Sequence, residues 1–238
     1  MKGLWWTKLL DFISPRHCVV CGRRLEATER SLCSVCVLHM PRTTYQFTPD
    51  DNPMVQLFWH LTPIKNAAAL IFYEPHSEMA QMVYELKYHD RPDIGEDLGR
   101  LMANEMQLAH FFDDVDILLP VPLSRKRMRQ RGYNQSEQLA IGIKDIIGLP
   151  IANKIIKRKH FQQSQTKLSR HERQENVNDM FVLKNGTPLE NKHVLLIDDI
   201  LTTGSTLRTC TALLKDMGAK RVFVAAAAYR LRGEPEEK

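Results

Sequence analysis

The strongest constraint on the fold is a set of short, continuously apolar runs that alternate with segments of helical spacing. The runs have the length of β-strands and lack an alternation of apolar and polar residues, so both of their faces must be covered. They lie at 67–74, 115–122, 193–198 and 221–229. The helical segments between them lie at 76–90, 93–109, 136–147 and 206–217. This alternation predicts an α/β fold in which helices cover a parallel sheet.

The chain has 238 residues, which is enough for one α/β domain and a small appendage. We assign residues 1–45 to an N-terminal helix and a four-cysteine module. Residues 46–66 contain three prolines and are predicted to be a linker that wraps the body. The α/β domain then occupies residues 67–232, and residues 233–238 form a disordered tail.

The N-terminal segment MKGLWWTKLLDFISP has apolar residues on one helical face, among them Trp5 and Leu9. Lys8 and Asp11 interrupt its apolar part, and no small-residue cleavage site follows. No stretch reaches the roughly 18 apolar residues of a membrane span. We expect an amphipathic helix docked on the body, no stable membrane insertion and a cytoplasmic location. Weak contact of this helix with a membrane surface is the alternative.

Four of the five cysteines form two C-x2-C pairs, Cys18 with Cys21 and Cys33 with Cys36, separated by eleven residues. Each pair can present two thiolates from one tight turn, and two pairs supply the tetrahedral set of four sulfurs that Zn²⁺ prefers. Two disulfides are the alternative, but they require an exported protein, and we find no export signal. We predict a structural Zn²⁺ that folds a segment too small to fold alone.

The apolar run 194–197 ends in two adjacent carboxylates, Asp198 and Asp199, followed by the hydroxyl-rich loop TTGST at 202–206. Ligands of parallel sheets bind where strands end and helices begin. Gly204 lets the backbone approach a ligand closely, and the N–H groups at the next helix start suit a phosphate. The carboxylates can accept hydrogen bonds from a vicinal diol or hold Mg²⁺ through its waters. These features predict a site for a phosphorylated sugar; a capped helix after a buried strand is the plainer alternative.

Basic residues are concentrated in one part of the chain. Residues 124–173 hold 13 Lys and Arg against 3 Asp and Glu, whereas the net charge of the whole chain is +5. Such a cluster favours an anionic partner, and its predicted position beside Asp198 and Asp199 favours a ligand of that site. For the four cations at 125–129, a solvated or nucleic-acid-facing run is an equal alternative.

The stretch VLLIDDILTTGSTL at 194–207 resembles the signature of the type I phosphoribosyltransferases, which bind phosphoribosyl pyrophosphate (PRPP). The resemblance implies that Asp198 and Asp199 contact the ribose hydroxyls. It further implies that the 5′-phosphate is cradled by Thr202, Thr203, Gly204, Ser205 and Thr206. No G-x-x-x-x-G-K-[ST] sequence occurs, which disfavours a P-loop nucleotide triphosphatase.

Three further stretches are similar to the ComF family of competence-associated, phosphoribosyltransferase-like proteins, to which N-terminal zinc modules also belong. They are LKYHDRPDIGEDLGRLMA (86–103), LLPVPLSRKRMRQRGYNQSEQLA (118–140) and QTKLSRHERQENVNDMF (165–181). The resemblance covers nearly the whole chain beyond residue 15. It implies a type I phosphoribosyltransferase-like fold with a small zinc module.

The resemblance also assigns the loop after strand 115–122 to pyrophosphate. Arg131, Gly132 and Asn134 would bind PRPP there, the first through its guanidinium. The predicted catalytic residues are Asp198, Asp199 and Arg131. Pyrophosphate is the leaving group, so cations and Mg²⁺ beside it stabilise the transition state more than the ground state.

Segment 158–179 corresponds to a flexible hood that closes over the reacting groups in the family. The residues that match its pattern are Arg158, Gln165, Arg173 and Asn176. Lys87, in the LKY step, either reaches the site or lies at the C-terminal end of helix 76–90, where a cation is favourable. We favour the second role for Lys87.

Two classes of function fit these features. The first is an enzyme that transfers ribosyl 5-phosphate from PRPP, with Mg²⁺, to an acceptor that the sequence does not identify. The second is a non-catalytic accessory of competence or DNA uptake that binds PRPP and single-stranded DNA and works with competence-machinery proteins. Tyr133 and Phe161, the aromatic residues of the basic segment, are a poor stacking platform for DNA. Both hypotheses predict PRPP binding.

Overall fold

A computed structural model describes residues 15–59, 62–152, 155–158, 181–183 and 189–231 of the chain. The predicted N-terminal helix and the predicted tail lie outside the described residues, as do the hood residues Gln165, Arg173 and Asn176. None of the described helices combines the length and the apolar character needed to cross a bilayer.

Within the described ranges, six strands form two sheets. They are β1 (Ala67–Phe72), β2 (Ile117–Pro120), β3 (Ile156–Arg158), β4 (Phe181–Leu183), β5 (His193–Leu201) and β6 (Arg221–Tyr229). β1, β6, β5 and β2 form a parallel sheet in that order, and β3 pairs antiparallel with β4. Almost every residue of β6 and of the first part of β5 is buried. The predicted parallel sheet is thus confirmed.

Helices cover both faces of the parallel sheet. The described α-helices are α1 (Ser34–Leu38), α2 (Pro53–Gln56), α3 (Glu78–Tyr88), α4 (Pro92–Gln107), α5 (Arg125–Arg131), α6 (Gln135–Ile147) and α7 (Ser205–Asp216). Of these, α1 lies in the cysteine module, and α5 has no buried residue. The apolar sides of α3, α4 and α6 pack on one face together with the cysteine module. The buried residues of α2 and α7 pack on the other face.

Two local predictions differ from the structure. β5 continues past Asp198 and Asp199 to Leu201 and pairs with β6 over its whole length, so the loop begins only at Thr202. Residues 125–131, which belong to the predicted loop after strand 115–122, form the helix α5. It forms because the Ser124 hydroxyl caps its first turn and residue 132, a glycine with φ of 76°, ends it in a left-handed conformation.

The helices α4 and α6 touch at two glycines. A Cβ atom on Gly99 would collide with the carbonyl oxygen of Leu139, and one on Gly142 would collide with that of Glu96. The two backbones therefore approach more closely than any side chain would allow. This contact fixes the position of the start of α6, which contributes to the site described below.

The segment that was predicted as a linker packs against the body. Met54 and Phe58 are fully buried on the α7 face of the sheet. The Asn52 side chain caps α2 through Met54 N–H, at 3.0 Å, and donates to the carbonyl oxygen of Ala67 in β1, at 2.9 Å. The chain between the cysteine module and β1 is therefore fixed to the sheet.

Candidate functional site

A cavity of about 390 Å³ lies at the carboxyl ends of the parallel strands, and we call it the strand-end cavity. Residues from the ends of all four strands line it, among them Tyr73, Val121 and Arg230. It also holds Asp198 and Asp199, the hydroxyls of Thr202 and Thr206, and the cations Lys87, Arg127, Arg131, Arg158 and Arg230. Carboxylates, hydroxyls and cations from five parts of the chain thus face one space.

Asp198 and Asp199, which we call the Asp pair, are held by hydrogen bonds and by cations. Asp198 Oδ1 accepts from the Ser136 hydroxyl at 3.2 Å and from the Asp199 N–H at 2.9 Å. Asp199 Oδ2 lies 3.3 Å from Lys87 Nζ and 4.0 Å from Arg131 Nη1. Two residues that are neighbours in sequence therefore have different partners, one a hydroxyl and the other two cations.

The environment of Asp198 favours its protonated form. Burial is the largest cause, and the charge of neighbouring Asp199 adds to it. The hydrogen bonds from Asp199 N–H and Ser136 and the charge of Lys87 act in the opposite direction, and the pKa of Asp198 is raised to about 8. Near neutral pH the Asp198 carboxyl is therefore largely protonated.

Lys87 is aimed at the Asp pair by contacts at the end of α3. The Tyr133 hydroxyl and the Gln135 side-chain amide both donate to the carbonyl oxygen of Leu86, the second of them at 3.3 Å. Arg131 Nη1 in turn donates to Gln135 Oε1 at 2.9 Å. The residue before Lys87 is thus tied to the segment between α5 and α6. Our preferred role for Lys87, at the helix end only, was incomplete because its ammonium group reaches the site.

The loop of residues 202–206, which we call the hydroxyl loop, encloses a small space of about 40 Å³ next to Asp198. Gly204 has a φ of 74° and packs against Leu57, so the loop turns sharply into α7. Thr203 and Ser205 hydroxyls lie 3.3 Å apart. The twelve residues of α7 start at Ser205, whose N–H donates to Thr203 Oγ1 at 3.5 Å, so the positive end of the helix dipole lies at the loop. Such a loop suits an anion.

The three residues predicted for pyrophosphate lie in different places. Arg131 lines the strand-end cavity, whereas Gly132 and Asn134 are not among its described lining residues. Gly132 ends α5. The Asn134 amide donates to the Val121 carbonyl at 3.1 Å, and its oxygen caps α6 through Ser136 N–H at 3.2 Å. A direct role of Gly132 and Asn134 in ligand binding stays a prediction.

Arg158 is the one predicted hood residue that the described part of the chain contains. It ends β3 and lines the strand-end cavity. Burial and the nearby charge of Arg127 lower its pKa. Its guanidinium therefore lies in a site that already has an excess of positive charge, which favours an anionic ligand.

The site contains residues that we did not predict. Tyr73 and Arg230 follow β1 and β6 directly, and Ser136 lies in the first turn of α6. Tyr73 and Arg230 could have been predicted from the sequence, because ligands bind beside the carboxyl ends of parallel strands. Ser136 gave no signal, since only the packing of α6 brings its hydroxyl to Asp198.

Cys18, Cys21, Cys33 and Cys36, which we call the cysteine cluster, have their sulfur atoms within 4.8 Å of one another. The Sγ atoms of Cys21 and Cys33 are 3.7 Å apart, and all four thiols are free. A tetrahedral metal with metal–sulfur bonds of about 2.3 Å places its sulfurs about 3.8 Å apart. The cluster therefore has the dimensions of a four-sulfur metal site and not of two disulfides.

Backbone N–H groups act on the sulfurs of the cysteine cluster. Cys33 N–H and Cys36 N–H donate to the sulfurs of Cys18 and Cys33, each at 3.4 Å. Burial opposes ionisation of Cys18, but N–H groups of Cys21, Cys33 and Val20 outweigh it and lower the pKa of Cys18 to about 7. Burial and the neighbouring sulfurs raise the pKa of Cys36. Four thiolates therefore need a bound cation.

The sequence of the chain is similar to one domain profile and to several known proteins. A sequence profile of the phosphoribosyl transferase domain matches residues 88–238. Competence protein F of Haemophilus influenzae is 31% identical over 231 residues, which are 91% of this chain and 97% of that protein. The DNA utilization protein YhgH of Salmonella typhimurium is 27% identical over 220 residues, 88% of this chain and 95% of that protein.

Among solved structures, a glutamine PRPP amidotransferase from B. subtilis has a TM-score of 0.43 and 22% identity, covering 60% of this chain and 30% of that chain. The assignment rests on the sequence matches alone. They confirm the resemblance that the motifs indicated, since the profile spans more than half of the chain and competence protein F nearly all of it. The chain belongs to the phosphoribosyltransferase domain family, in the branch that includes competence protein F.

Proposed function

We propose that this protein binds PRPP with Mg²⁺ in the strand-end cavity and transfers its ribosyl 5-phosphate to an acceptor. The observation that carries the proposal is the meeting of the Asp pair, the hydroxyl loop and five cations around one cavity. PRPP has a diol, a monophosphate and a pyrophosphate, and each of these groups has a counterpart there.

In the proposed complex the 5′-phosphate lies in the hydroxyl loop, against the start of α7. The ribose hydroxyls donate hydrogen bonds to Asp198 and Asp199. The pyrophosphate faces Lys87, Arg127 and Arg131, which are the cations on α3 and α5. Gly132 and Asn134 support this arrangement by ending α5 and starting α6.

The chemistry follows from where charge develops. As the bond between the anomeric carbon and pyrophosphate lengthens, negative charge grows on the leaving oxygen. Arg131 and Lys87 are held in place by Gln135, Leu86 and the Asp pair, so they stabilise this charge without having to reorganise. Asp198 and Asp199 would hold Mg²⁺ through its water ligands, and the ion would supply neutralisation of part of the pyrophosphate charge.

We also propose that the cysteine cluster holds a structural Zn²⁺. The support is the match between the measured sulfur separation of 3.7 Å and the spacing of a tetrahedral zinc site. Four sulfurs leave no open coordination position, so the role is to hold the module together. The module is then fastened to α4 by Ser31, whose N–H and hydroxyl donate to Asp97 Oδ2 at 3.0 and 2.5 Å.

A second candidate function, handling of single-stranded DNA in competence, is favoured by one surface feature. The Tyr84 and Tyr88 rings are in contact, with centroids 5.0 Å apart and planes inclined at 43°, and both side chains are at least half exposed. Arg131 lies 5.6 Å from the Tyr88 ring. Exposed aromatic rings beside cations suit stacked bases, and the relatives are a competence protein and a DNA utilization protein. Competence-machinery partners stay a prediction.

Calorimetric titration of Mg²⁺ and PRPP into the metal-loaded protein tests the main proposal. Asp198→Asn/Asp199→Asn should abolish binding. The matched control is Asp113→Asn/Asp114→Asn, a second adjacent pair that is exposed and lines neither this cavity nor the loop. It should bind as the wild type does. Absence of PRPP binding to folded wild-type protein refutes the proposal, and titration of an oligo-dT strand then tests the second function.

A further inference from the structure

We propose that a second cavity, beside the strand-end cavity, binds the acceptor, and that this acceptor is a small, flat nitrogen heterocycle carrying a carboxylate. The role of this ligand as the acceptor rests on the proposed function. The preference for an apolar anion rests on the second cavity alone, so the two parts can fail separately.

The second cavity, which we call the side cavity, has a volume of about 430 Å³, which is in the range of small-molecule sites. It lies between β2, the starts of α5 and α6, and β3. Pro122, Leu123 and Arg158 line both cavities. A molecule in the side cavity therefore borders the proposed PRPP site across three residues, which is where a group that attacks the ribosyl carbon must wait.

Most of the surface of the side cavity is apolar. Leu119, Ile155 and Ile156 are each at least 97% buried and form its inner part. Leu123 and Met128 extend the apolar surface toward the opening. A flat ring that covers these side chains removes apolar area from water on both partners, and this stabilises the complex.

The cations of α5 line different cavities because residues four apart lie on the same side of a helix. Arg125 and Arg129, one turn apart, line the side cavity, whereas Arg127 and Arg131 line the strand-end cavity. Lys126 lines neither. Lys157 and Arg158 add two further cations to the side cavity, against the single carboxylate of Glu137. An apolar floor with a cationic edge matches an aromatic carboxylate.

An uncharged nucleobase fits the side cavity less well. Nucleobases are recognised through hydrogen bonds along their edges. Asn134 carries the only side-chain amide among the described lining residues, and that amide is bonded to Val121 and to the first turn of α6. A ligand with its own charge uses the cations that are present.

A ring nitrogen with a free lone pair also gives a balanced reaction. Its electron pair forms the new bond to the anomeric carbon, while the carbon–oxygen bond to pyrophosphate breaks and its electrons leave with the pyrophosphate. No proton has to be removed, so the reaction needs no general base. The product carries positive charge on the ring nitrogen next to its own carboxylate.

The test uses ligand-detected NMR on the full, metal-loaded chain. Pyridine-3-carboxylate is the probe, and pyridine-3-carboxamide and adenine are controls of similar size. The carboxylate should bind about tenfold more tightly than the amide, because it alone meets the cations. Arg125→Gln/Arg129→Gln should remove this preference, and Lys126→Gln should keep it.

Several outcomes overturn the proposal. They are no binding of the carboxylate, equal or tighter binding of the amide or adenine, and a preference that persists in Arg125→Gln/Arg129→Gln. Asp198→Asn/Asp199→Asn should lose PRPP and keep the carboxylate, which separates the two sites. With both ligands bound, release of pyrophosphate that depends on a pyridine carboxylate supports the acceptor role. If no pyrophosphate is released, or if PRPP does not bind, the acceptor role is overturned. The preference of the side cavity for the carboxylate over the amide is decided by the NMR measurement alone.

Discussion

The cysteine cluster and the Asp pair both bring groups of the same charge together, and they differ in what balances the charge. The four sulfurs lie within 4.8 Å of one another, with three of the four cysteines buried, and backbone N–H groups surround them. The Asp pair is balanced by Lys87 and Arg131 and opens on a cavity of about 390 Å³. The first cluster has room for one ion, and the second has room for a ligand. This difference in the space beside the two clusters agrees with the structural role that we propose for the first and the binding role that we propose for the second.

The largest expected effect comes from breaking the cysteine cluster. Cys33→Ser removes a fully buried sulfur, and we expect the free energy of unfolding to fall by at least about 3 kcal/mol because metal binding stabilises the folded module. Urea unfolding together with the zinc content of the purified protein measures this. Cys210→Ala is the matched control, since Cys210 is also buried but lies on α7. If wild-type protein without zinc is as stable as zinc-loaded protein, the cysteine cluster does not have the structural role that we propose.

A substitution in the Asp pair is expected to raise the free energy of unfolding, by less than the loss expected for the cysteine cluster. Because the pKa of Asp198 is raised to about 8 in the folded protein, the folded state keeps a proton that the unfolded chain releases near pH 4. The contribution of Asp198 to the free energy of unfolding therefore falls as the pH rises from about 4 to about 8.

Asp198→Asn cannot ionise and should raise the free energy of unfolding by roughly 1–3 kcal/mol at pH 8, with a smaller gain at pH 5. Denaturation at the two pH values measures the gain, and Asp216→Asn, at the exposed end of α7, is the control. A gain of the same size at both pH values would show that ionisation of Asp198 does not limit stability.

The smallest effect separates two roles of Lys87. Lys87→Met should lower stability by about 1 kcal/mol, because its ion pair with Asp199 is partly buried. In an Asp199→Asn background the same substitution should cost much less. A double-mutant cycle of unfolding free energies measures the coupling. An unchanged cost in that background would return Lys87 to a role at the end of α3 only.

The parts of the site that one stretch of chain supplies were predictable. The Asp pair and the hydroxyl loop follow a buried run, so sequence alone brings them together. Tyr73 and Arg230 directly follow predicted strands, so their place at the carboxyl edge of the sheet could be predicted, but only the strand order β1–β6–β5–β2 brings them into one cavity. Lys87 reaches the cavity from the end of α3. The strand order is set by packing between elements, which local propensity does not encode.

The helix α5 could have been predicted and was not. Ser124 and Gly132 are ordinary cap residues, and arginine, lysine, methionine and glutamine between them favour helix. The charge of the segment suggested a ligand loop instead. The side cavity had no sequence signal, because β2, α5, α6 and β3 each contribute only a few residues to it.

The contact between α4 and α6 has a consequence for how this protein can vary. Gly99 and Gly142 accept no side chain without moving a backbone, although neither lines a described cavity. A survey of every single substitution would rank both positions with the Asp pair as intolerant. Intolerance to substitution would then mark two positions that contact no ligand. A search for functional residues by that measure alone would count these glycines as active-site residues.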